Sequence, residues 1–435
     1  MRAHPGQSLN ILTAFKALLE TIGLKKRDSY SQLPSYEEED RGSADIYHDE
    51  TEDSPSAALL GDGLTRTKHE GHRWRSCSSP CKAVIFVLLA CAAYALVRVL
   101  RWGFSPDYII IDDLESFGEV LGCLDAPYLY NSSELVRYAV PLGSDADHAL
   151  DVHGDAVGTI ILDVGEADAT EVVYEFTLRT NNAQLLDLVS TRQPRLELGD
   201  NRMLLSTPRL GDGNFSCIRF DMVVRIPPNL KKLHVASHST THVRFAPSAE
   251  IHLETLFVTL YDMDSRNRVL PNRALQADAI SLEVYGGGIL GSIAAVERAS
   301  LKTQRGDGLM HVTVHPIQRD GGPVSFSTTT GGGRTNIAWI GNEAVERRPI
   351  RGTHISSRGG DMNLDYHDAG FEGLVQMDCR TYSASALHAI EEPKIEEGQG
   401  EGGMPSDPRW THYVGDREGE DRLYIESSGW AGLSL

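Results

Sequence analysis

The stretch GLMHVTVH, residues 308–315, carries the pattern that decides the fold. Behind a glycine, apolar and polar side chains alternate with period two, which is typical of a β-strand with one buried face. The alternation places Met310, Val312 and Val314 on the buried face and turns the histidines and the threonine outward. We therefore predict a strand that begins just after Gly308.

Similar strands led by glycine follow further along the chain. Three glycines each stand four residues before an apolar strand centre, and the centres are 25 and 27 residues apart: Gly308, Gly333 and Gly360, before Val312, Ile337 and Leu364. This period suits one layer of a stacked β-repeat, or β-solenoid, in which each glycine turns the chain with a positive φ. A two-sheet β-sandwich is the alternative fold.

Most of the chain between residues 150 and 390 has strand character. Runs of β-branched and aromatic residues with period-two alternation occur at Gly158–Val164, Val172–Leu178, Phe220–Arg225, Glu254–Tyr261 and Ile280–Tyr285. Gly, Pro, Asn and Asp separate these runs, as expected of turns between strands. We predict an all-β domain over 150–390, with repeats clearest from 250, preceded by a membrane-proximal segment over 103–149.

An apolar run, AVIFVLLACAAYALVRVL, occupies residues 83–100. At helical rise this length covers roughly the ~30 Å hydrocarbon core of a bilayer, so we predict one transmembrane helix over 83–102. Basic residues crowd its N-terminal flank, which predicts a cytosolic N-terminus and a type II single-pass signal-anchor. The glycosylation sequons at Asn131 and Asn214 both lie on the other side, and we predict a glycoprotein modified at both.

Residues 1–82 have the polar, charged composition of a disordered cytosolic tail. Two overlapping short motifs lie in it. Tyr30-Ser-Gln-Leu33 resembles the tyrosine-based sorting signal that clathrin adaptors bind, and Leu33-Pro34-Ser-Tyr36 resembles the ligand of WW-domain ubiquitin ligases. Chance matches in a polar tail are the alternative interpretation.

The six cysteines divide between the predicted compartments. Cys77 and Cys81 lie next to the predicted span on its cytosolic side and are candidates for palmitoylation. Cys123, Cys217 and Cys379 lie on the oxidising side, where disulfides form. Three cysteines allow at most one disulfide and leave one thiol, and the sequence leaves the pairing open.

The C-terminal part contains a change of composition. Residues 391–409 are acidic, rich in glycine and nearly free of apolar side chains, which predicts a mobile linker. Alternation resumes over 410–435. A stacked sheet needs its last edge covered, so we predict a capping hairpin there.

The sequence offers no recognised catalytic signature. The formal net charge is −20, which argues against nucleic acid as a partner. The chain lacks the G-x-S-x-G elbow, the G-x-x-x-x-G-K-[ST] loop, the H-E-x-x-H helix and a C-x-x-C pair. We predict no catalytic residue and no cofactor.

Three histidines, His234, His238 and His242, recur at intervals of four residues. On one extended strand, neighbours in this series stand ~13 Å apart, too far to share one metal ion unless the chain turns between them. We therefore interpret them as solvated or locally hydrogen-bonded strand histidines and predict no metal site.

Three blocks of sequence resemble a family of fungal single-span membrane proteins with no assigned activity. They are VVRIPPNLKKLHVASHSTTHVRF (223–245), SRGGDMNLDYHDAGFEGLVQMDCRTYSA (357–384) and DRLYIESSGW (421–430). The resemblance covers roughly residues 80–435. The ectodomain of that family is similar to bacterial β-repeat domains named "putative adhesin", so the resemblance implies an adhesin-like β-repeat fold and a single-span topology. A shared fold does not imply a shared function, so the resemblance implies no activity.

Two functions are consistent with these patterns. The first is a non-enzymatic ectodomain, adhesive, binding or structural, that binds a wall polymer, a glycan or a protein while the tail controls sorting at the plasma membrane, vacuole or another endomembrane. The alternative is an enzyme that acts on polysaccharide, since β-solenoids can place several carboxylates along one face. We favour the first, because no set of acidic and basic residues clusters on adjacent repeats.

Overall fold

A computed structural model describes the chain from Phe117 onward with gaps. The described residues are 117–195, 197, 199–211, 215–305, 307–317, 322–341, 347–391 and 410–435. They form strands connected by turns and by short 3-10 helices, at Glu119–Leu121, Tyr130–Ser132, Ala183–Leu188 and His367–Ala369. All 24 strands of this part of the chain belong to one sheet.

The strands before residue 250 form the first half of this sheet. They are β1 (Tyr128–Leu129), β2 (Val136–Pro141), β3 (Asp147–His153), β4 (Val157–Val164), β5 (Glu171–Thr180), β6 (Ser190–Arg192), β7 (Arg202–Ser206), β8 (Ile218–Ile226), β9 (Lys232–Ser237) and β10 (Thr241–Phe245). Strand β5 pairs antiparallel with β1, β2 and β8. The pairing then becomes parallel. Strand β4 pairs with β8 on one edge and with β10 on the other, and β3 pairs with β9.

The strands after residue 250 continue this parallel pairing. They are β11 (Ile251–Leu260), β12 (Arg268–Leu270), β13 (Leu275–Val284), β14 (Gly288–Ala295), β15 (Arg298–Thr303), β16 (Leu309–Pro316), β17 (Val324–Thr330), β18 (Thr335–Trp339), β19 (Ile350–Ser356), β20 (Met362–Asp365), β21 (Gly373–Ala384), β22 (His388–Ala389), β23 (His412–Val414) and β24 (Asp421–Ser434). Each strand from β9 to β18 pairs in parallel with the strand two places later in the chain, so that β9 pairs with β11, β10 with β12, and so on up to β18 with β20. Two strands therefore make one coil, and the coils stack.

The alternation in the sequence determines which side chains fill the space inside the coils. Met310, Val312 and Val314 of β16 are buried, with at most 1% of each residue exposed. Val312 lies in register with Ile337 of β18, and Ile337 lies in register with Leu364 of β20. The apolar centres 25 and 27 residues apart thus stack directly in the core.

The predicted positive φ at the three glycines is wrong. Gly308, Gly333 and Gly360 have no positive φ, whereas Gly359 has a φ of +79°. The glycines are needed for close approach instead: a Cβ on Gly333 would overlap the carbonyl oxygen of Gly308, and one on Gly360 would overlap that of Gly333. Stacked coils bring these backbones together at the corner, and only a residue without a side chain fits there.

The predicted fold class, an all-β domain with one transmembrane helix, is corrected by the structure. The part of the chain that it describes is all-β, and no helix within that part is long and apolar enough to cross a membrane. The alternative two-sheet sandwich is also wrong, because the strands belong to one sheet. The predicted helix over 83–102 and the tail over 1–82 lie outside the described residues.

The hairpin predicted over 410–435 is replaced by a different arrangement. Strands β23 and β24 both pair with β21, β23 antiparallel and β24 parallel. The other edge of β24 pairs with β19 through its first half and with β20 through its second. The C-terminal strand β24 therefore lies within the stack, with β21 on one edge and β19 and β20 on the other. Most of the predicted linker, 392–409, lies outside the described residues.

A buried histidine links the stability of the core to pH. His354 of β19 is fully buried, with one ring nitrogen 2.7 Å from the Thr328 hydroxyl and the other 2.7 Å from the Tyr366 hydroxyl. Burial lowers the pKa of His354 to about 3. The neutral imidazole is therefore the form that the folded core accepts.

We expect the folded state to lose stability as the pH falls from 6.5 towards 3. In that interval the unfolded chain binds a proton at this residue that the folded chain does not, and the loss is about 1.4 kcal/mol per pH unit. Above pH 6.5 neither the folded nor the unfolded state binds the proton, so His354 no longer makes the free energy of unfolding depend on pH. Urea unfolding at pH 7 and pH 5 should show a shallower pH dependence for His354→Gln than for wild type. Equal pH dependence in both proteins would contradict this assignment.

Candidate functional site

A stack of aromatic rings crosses four neighbouring coils on the outer face. His153, His238, Tyr261 and Tyr285 follow the last residues of parallel strands or end them, so that the register places them side by side. Ring centroids are 4.2 Å apart for His153 and His238, 4.5 Å for His238 and Tyr261, and 5.4 Å for the two tyrosines. We call these four residues the aromatic ladder.

A carboxylate lies beside the histidine end of the ladder. Asp151 of β3 is two residues before His153, and its Oδ1 is 2.8 Å from His153 Nε2 and 3.8 Å from His238 Nε2. One potential ligand atom from each of these residues lies within 4.8 Å of the other two. The second carboxylate oxygen, Oδ2, accepts a hydrogen bond from Arg202 at 3.1 Å. A half-exposed pair of imidazoles and a buried carboxylate thus converge on one point.

The three histidines singled out in the sequence do not act together. The chain turns after His238, so His242 lies on the next strand, where its Nδ1 accepts a hydrogen bond from the Gly118 amide and its Nε2 donates to the Arg266 carbonyl. Burial lowers the pKa of His242 to about 4. His234 contacts the edge of Phe257. Sequence reasoning found His238 but missed its partners, whose only signal is an aspartate and a histidine two apart on β3.

A large cleft lies at the opposite corner of the coils, beside the short strand β12. Strand β12 has only three residues, whereas β14 and β16 have eight each. The turn after β12 contributes Asn272 and Arg273 to the lining of the cleft. The recess has a volume of about 930 Å³. Its lining comprises Pro247, Glu250, Ile251, His252, Asn272, Arg273, Ala274, Gln276, His315, Pro316, Ile317, Ile340 and Gly341.

The cleft combines hydrogen-bond donors with apolar surface. Gln276 and Asn272 supply amides, Arg273 a guanidinium and His315 an imidazole. Burial and the positive charge of Arg273 lower the pKa of His315. Within the part of the chain that the structure describes, Glu250 is the only carboxylate that lines this cleft. The arrangement favours a ligand rich in hydroxyl or carboxylate oxygens.

The predicted modification and sorting residues are covered only in part. Asn131 is exposed and has a φ of +54° within the short 3-10 helix Tyr130–Ser132, and its glycosylation stays a prediction. Asn214 lies outside the described residues, as do the sorting residues Tyr30, Leu33, Pro34 and Tyr36 and the palmitoylation candidates Cys77 and Cys81.

The structure settles the cysteine pairing that the sequence left open. Cys123 and Cys217 form a disulfide, and Cys379 is a free thiol. Burial raises the pKa of the Cys379 thiol to about 11. This cysteine is therefore protonated near neutral pH and is a poor nucleophile.

Comparison with known proteins gives similarities to several bacterial structures. No family model matches the chain, and no curated protein matches it. A "putative adhesin" from Bacteroides fragilis has a TM-score of 0.31 at 9% identity, over 70% of this chain and 98% of that one. A "putative cell adhesion protein" from Clostridium sporogenes has a TM-score of 0.21 at 8% identity, over 69% and 98%.

A third similar structure is a "putative adhesin" from Parabacteroides merdae. Its TM-score is 0.24 at 12% identity, over 53% of this chain and 93% of that one. The neighbours share the name of adhesin and an extended region of alignment with this chain. At these TM-scores they carry no argument about what this chain binds.

Proposed function

We propose that the β-domain is a non-enzymatic binding module, adhesive or structural, that holds a glycan in the cleft around Arg273. The observation that carries this proposal is the lining of that cleft, in which amide, guanidinium and imidazole donors surround a recess of about 930 Å³. Sugar hydroxyls and uronate carboxylates accept hydrogen bonds from such donors, and a guanidinium can bind a carboxylate through two of them. Pro316 and Ile317 offer apolar surface to a sugar face.

The geometry of the stack suits a polymer. Residues from four coils line the cleft, the first at Pro247 and the last at Gly341. A chain of several sugar units can therefore contact several coils at once. Each contact is weak, and affinity accumulates along the polymer.

The alternative, a polysaccharide-active enzyme, receives less support from the same cleft. Glycoside hydrolases generally use two carboxyl groups, roughly 5–10 Å apart, across the scissile bond. Among the described residues that line this cleft, Glu250 has no second carboxylate beside it. A binding role needs no such pair.

The disulfide supports a location for this domain on the oxidising side of a membrane. Cys123 and Cys217 are 94 residues apart in the chain and are joined. Such bonds persist in the secretory pathway and outside the cell and are rare in the cytosol. This is also where a ligand of the glycan class is available.

Binding of the full chain to polygalacturonate, β-glucan and chitin oligosaccharides tests the proposal. We expect polygalacturonate to bind, because the guanidinium of Arg273 meets its carboxylates inside the cleft, although the net charge of −20 on the chain opposes a polyanion at long range. Arg273→Ala combined with Gln276→Ala should weaken this binding at least roughly tenfold, since each lost charged hydrogen bond is worth about 1.5–3 kcal/mol. Arg380→Ala, which removes an exposed arginine from β21, is the matched control and should bind normally.

Two outcomes would overturn the proposal. One is equal binding by the cleft variant and the Arg380→Ala control, which would remove the cleft from the binding site. The other is release of new reducing ends from the polysaccharide with loss of that activity in Glu250→Gln, which would favour the enzyme.

A further inference from the structure

We propose that Asp151, His153 and His238 form a binding site for a divalent transition-metal ion, with Zn²⁺ as the expected occupant. This inference is independent of the proposed glycan cleft, which lies at the opposite corner of the coils. It rests on the side chains that meet at the histidine end of the aromatic ladder.

The spacing of the donor atoms fits a single small ion. Two ligands of a tetrahedral Zn²⁺ site stand about 3.3 Å apart when the bonds are about 2.0–2.1 Å long. Asp151 Oδ1 is 2.8 Å from His153 Nε2 and 3.8 Å from His238 Nε2, distances on either side of that value. Two imidazoles and one carboxylate are also the donor set of many zinc sites with an open position.

The carboxylate provides a second, independent observation. Asp151 is buried, with 7% of the residue exposed, and its Oδ1 has no hydrogen-bond partner. The approach of His153 at 2.8 Å does not have the geometry of a hydrogen bond. A buried carboxylate oxygen without a partner is costly, and a cation at this point would satisfy it.

The surrounding contacts hold Asp151 and His238 in place. Arg202 binds Oδ2, which leaves Oδ1 directed at the two histidines. Tyr261 stacks on His238, with planes 12° apart, and so limits rotation of that ring. The rings of His153 and His238 are themselves stacked with planes 17° apart, and an imidazole nitrogen binds a metal in the plane of its ring, so the half-exposed ring of His153 has to turn for both Nε2 atoms to reach one ion. The positive charge of Arg202 opposes binding of a cation. Its guanidinium, however, donates its hydrogen bond to Asp151 Oδ2 and not to Oδ1, the oxygen that faces the imidazoles.

The site leaves room for a further ligand. The side chains of His153 and His238 are 43% and 41% exposed. A metal held by three protein atoms at a surface has at least one position open to water or to an oxygen of a bound molecule. The chemistry is that of an exposed zinc site with an exchangeable ligand.

Titration of the full chain, without a polyhistidine tag, with Zn²⁺ and with Co²⁺ tests the inference. We expect one ion to bind at this site, with the visible absorption of four-coordinate Co²⁺. Asp151→Asn, His153→Ala and His238→Ala should each weaken the binding at least roughly tenfold. His234→Ala, on β9 and four residues before His238, is the matched control and should bind as wild type does.

The variants distinguish the loss of a metal-binding side chain from the loss of folding. Asp151 is buried, so Asp151→Asn can disturb β3, whereas the ring of His238 is exposed at the end of its strand and its removal leaves the core intact. His238→Ala therefore decides the matter, with circular dichroism as the check of folding. Absence of Zn²⁺ and Co²⁺ binding by wild type, or equal affinity in wild type and His238→Ala, would overturn the inference.

Discussion

Replacing Gly333 with valine should destabilise the stack of coils by at least about 3 kcal/mol, at the upper end of what overpacking costs in a well-packed interior. A Cβ at this position would overlap the carbonyl oxygen of Gly308 in the preceding coil. The obstacle is backbone directly before β16, a strand that pairs in parallel with β14 and β18, and so it cannot move away as a flexible side chain can. The same argument applies to Gly360, whose added Cβ would meet the Gly333 carbonyl.

Urea unfolding and limited proteolysis of the full chain measure this effect. Gly211→Val is the matched control, because a Cβ at Gly211 meets no atom within 4 Å and its φ is not positive. We expect the control to unfold like wild type, and Gly333→Val and Gly360→Val to unfold earlier and to be cleaved faster. Wild-type stability in both corner variants would show that the coils do not approach closely at these glycines.

Loss of the disulfide should have the second large effect. Cys217→Ser opens a covalent loop that joins positions 94 residues apart, and the entropy regained by the unfolded chain predicts a loss of about 2–5 kcal/mol. The bond attaches the segment before β1 to the start of β8. Arg219 supports the same attachment, since it donates hydrogen bonds to the carbonyls of Gly118 and Gly122.

The free cysteine offers the comparison for this experiment. Cys379→Ser removes a half-buried thiol that is not in a disulfide, so we expect a much smaller change in the urea midpoint. Addition of a reductant should lower the midpoint of wild type to that of Cys217→Ser and leave the variant unaffected. A wild-type midpoint that does not respond to complete reduction would contradict the stabilising role.

Local pattern was sufficient for the features that depend on neighbouring residues in one strand. The period-two alternation of β16 correctly separated Met310 and Val312 from the outward-facing histidines, because side chains of a strand point alternately to opposite faces. The spacing between Val312 and Ile337 equals one coil, and so a repeat visible in the sequence corresponds to parallel register in the sheet.

The sequence did not show why the corner positions of the coils require glycine. Glycine is required both by a positive φ and by close approach of another backbone, and the residue type does not distinguish the two. Only the stacking of Gly333 on Gly308 shows that close approach is the cause. The position of β24 was likewise hidden, because its alternation specifies a strand but not which strands lie beside it.

What the sequence determined by itself is the β character of the described residues between 150 and 390, the buried face of β16 and the period of the repeat, all of which follow from local side-chain spacing. The tertiary structure alone decided which distant residues meet. Asp151 and His238 are separated by 87 positions (238 − 151), and their contact exists because β3 pairs with β9 and not with a nearer strand. Pairing over such distances is governed by the register of whole strands and the packing of the core, and no single short segment encodes it.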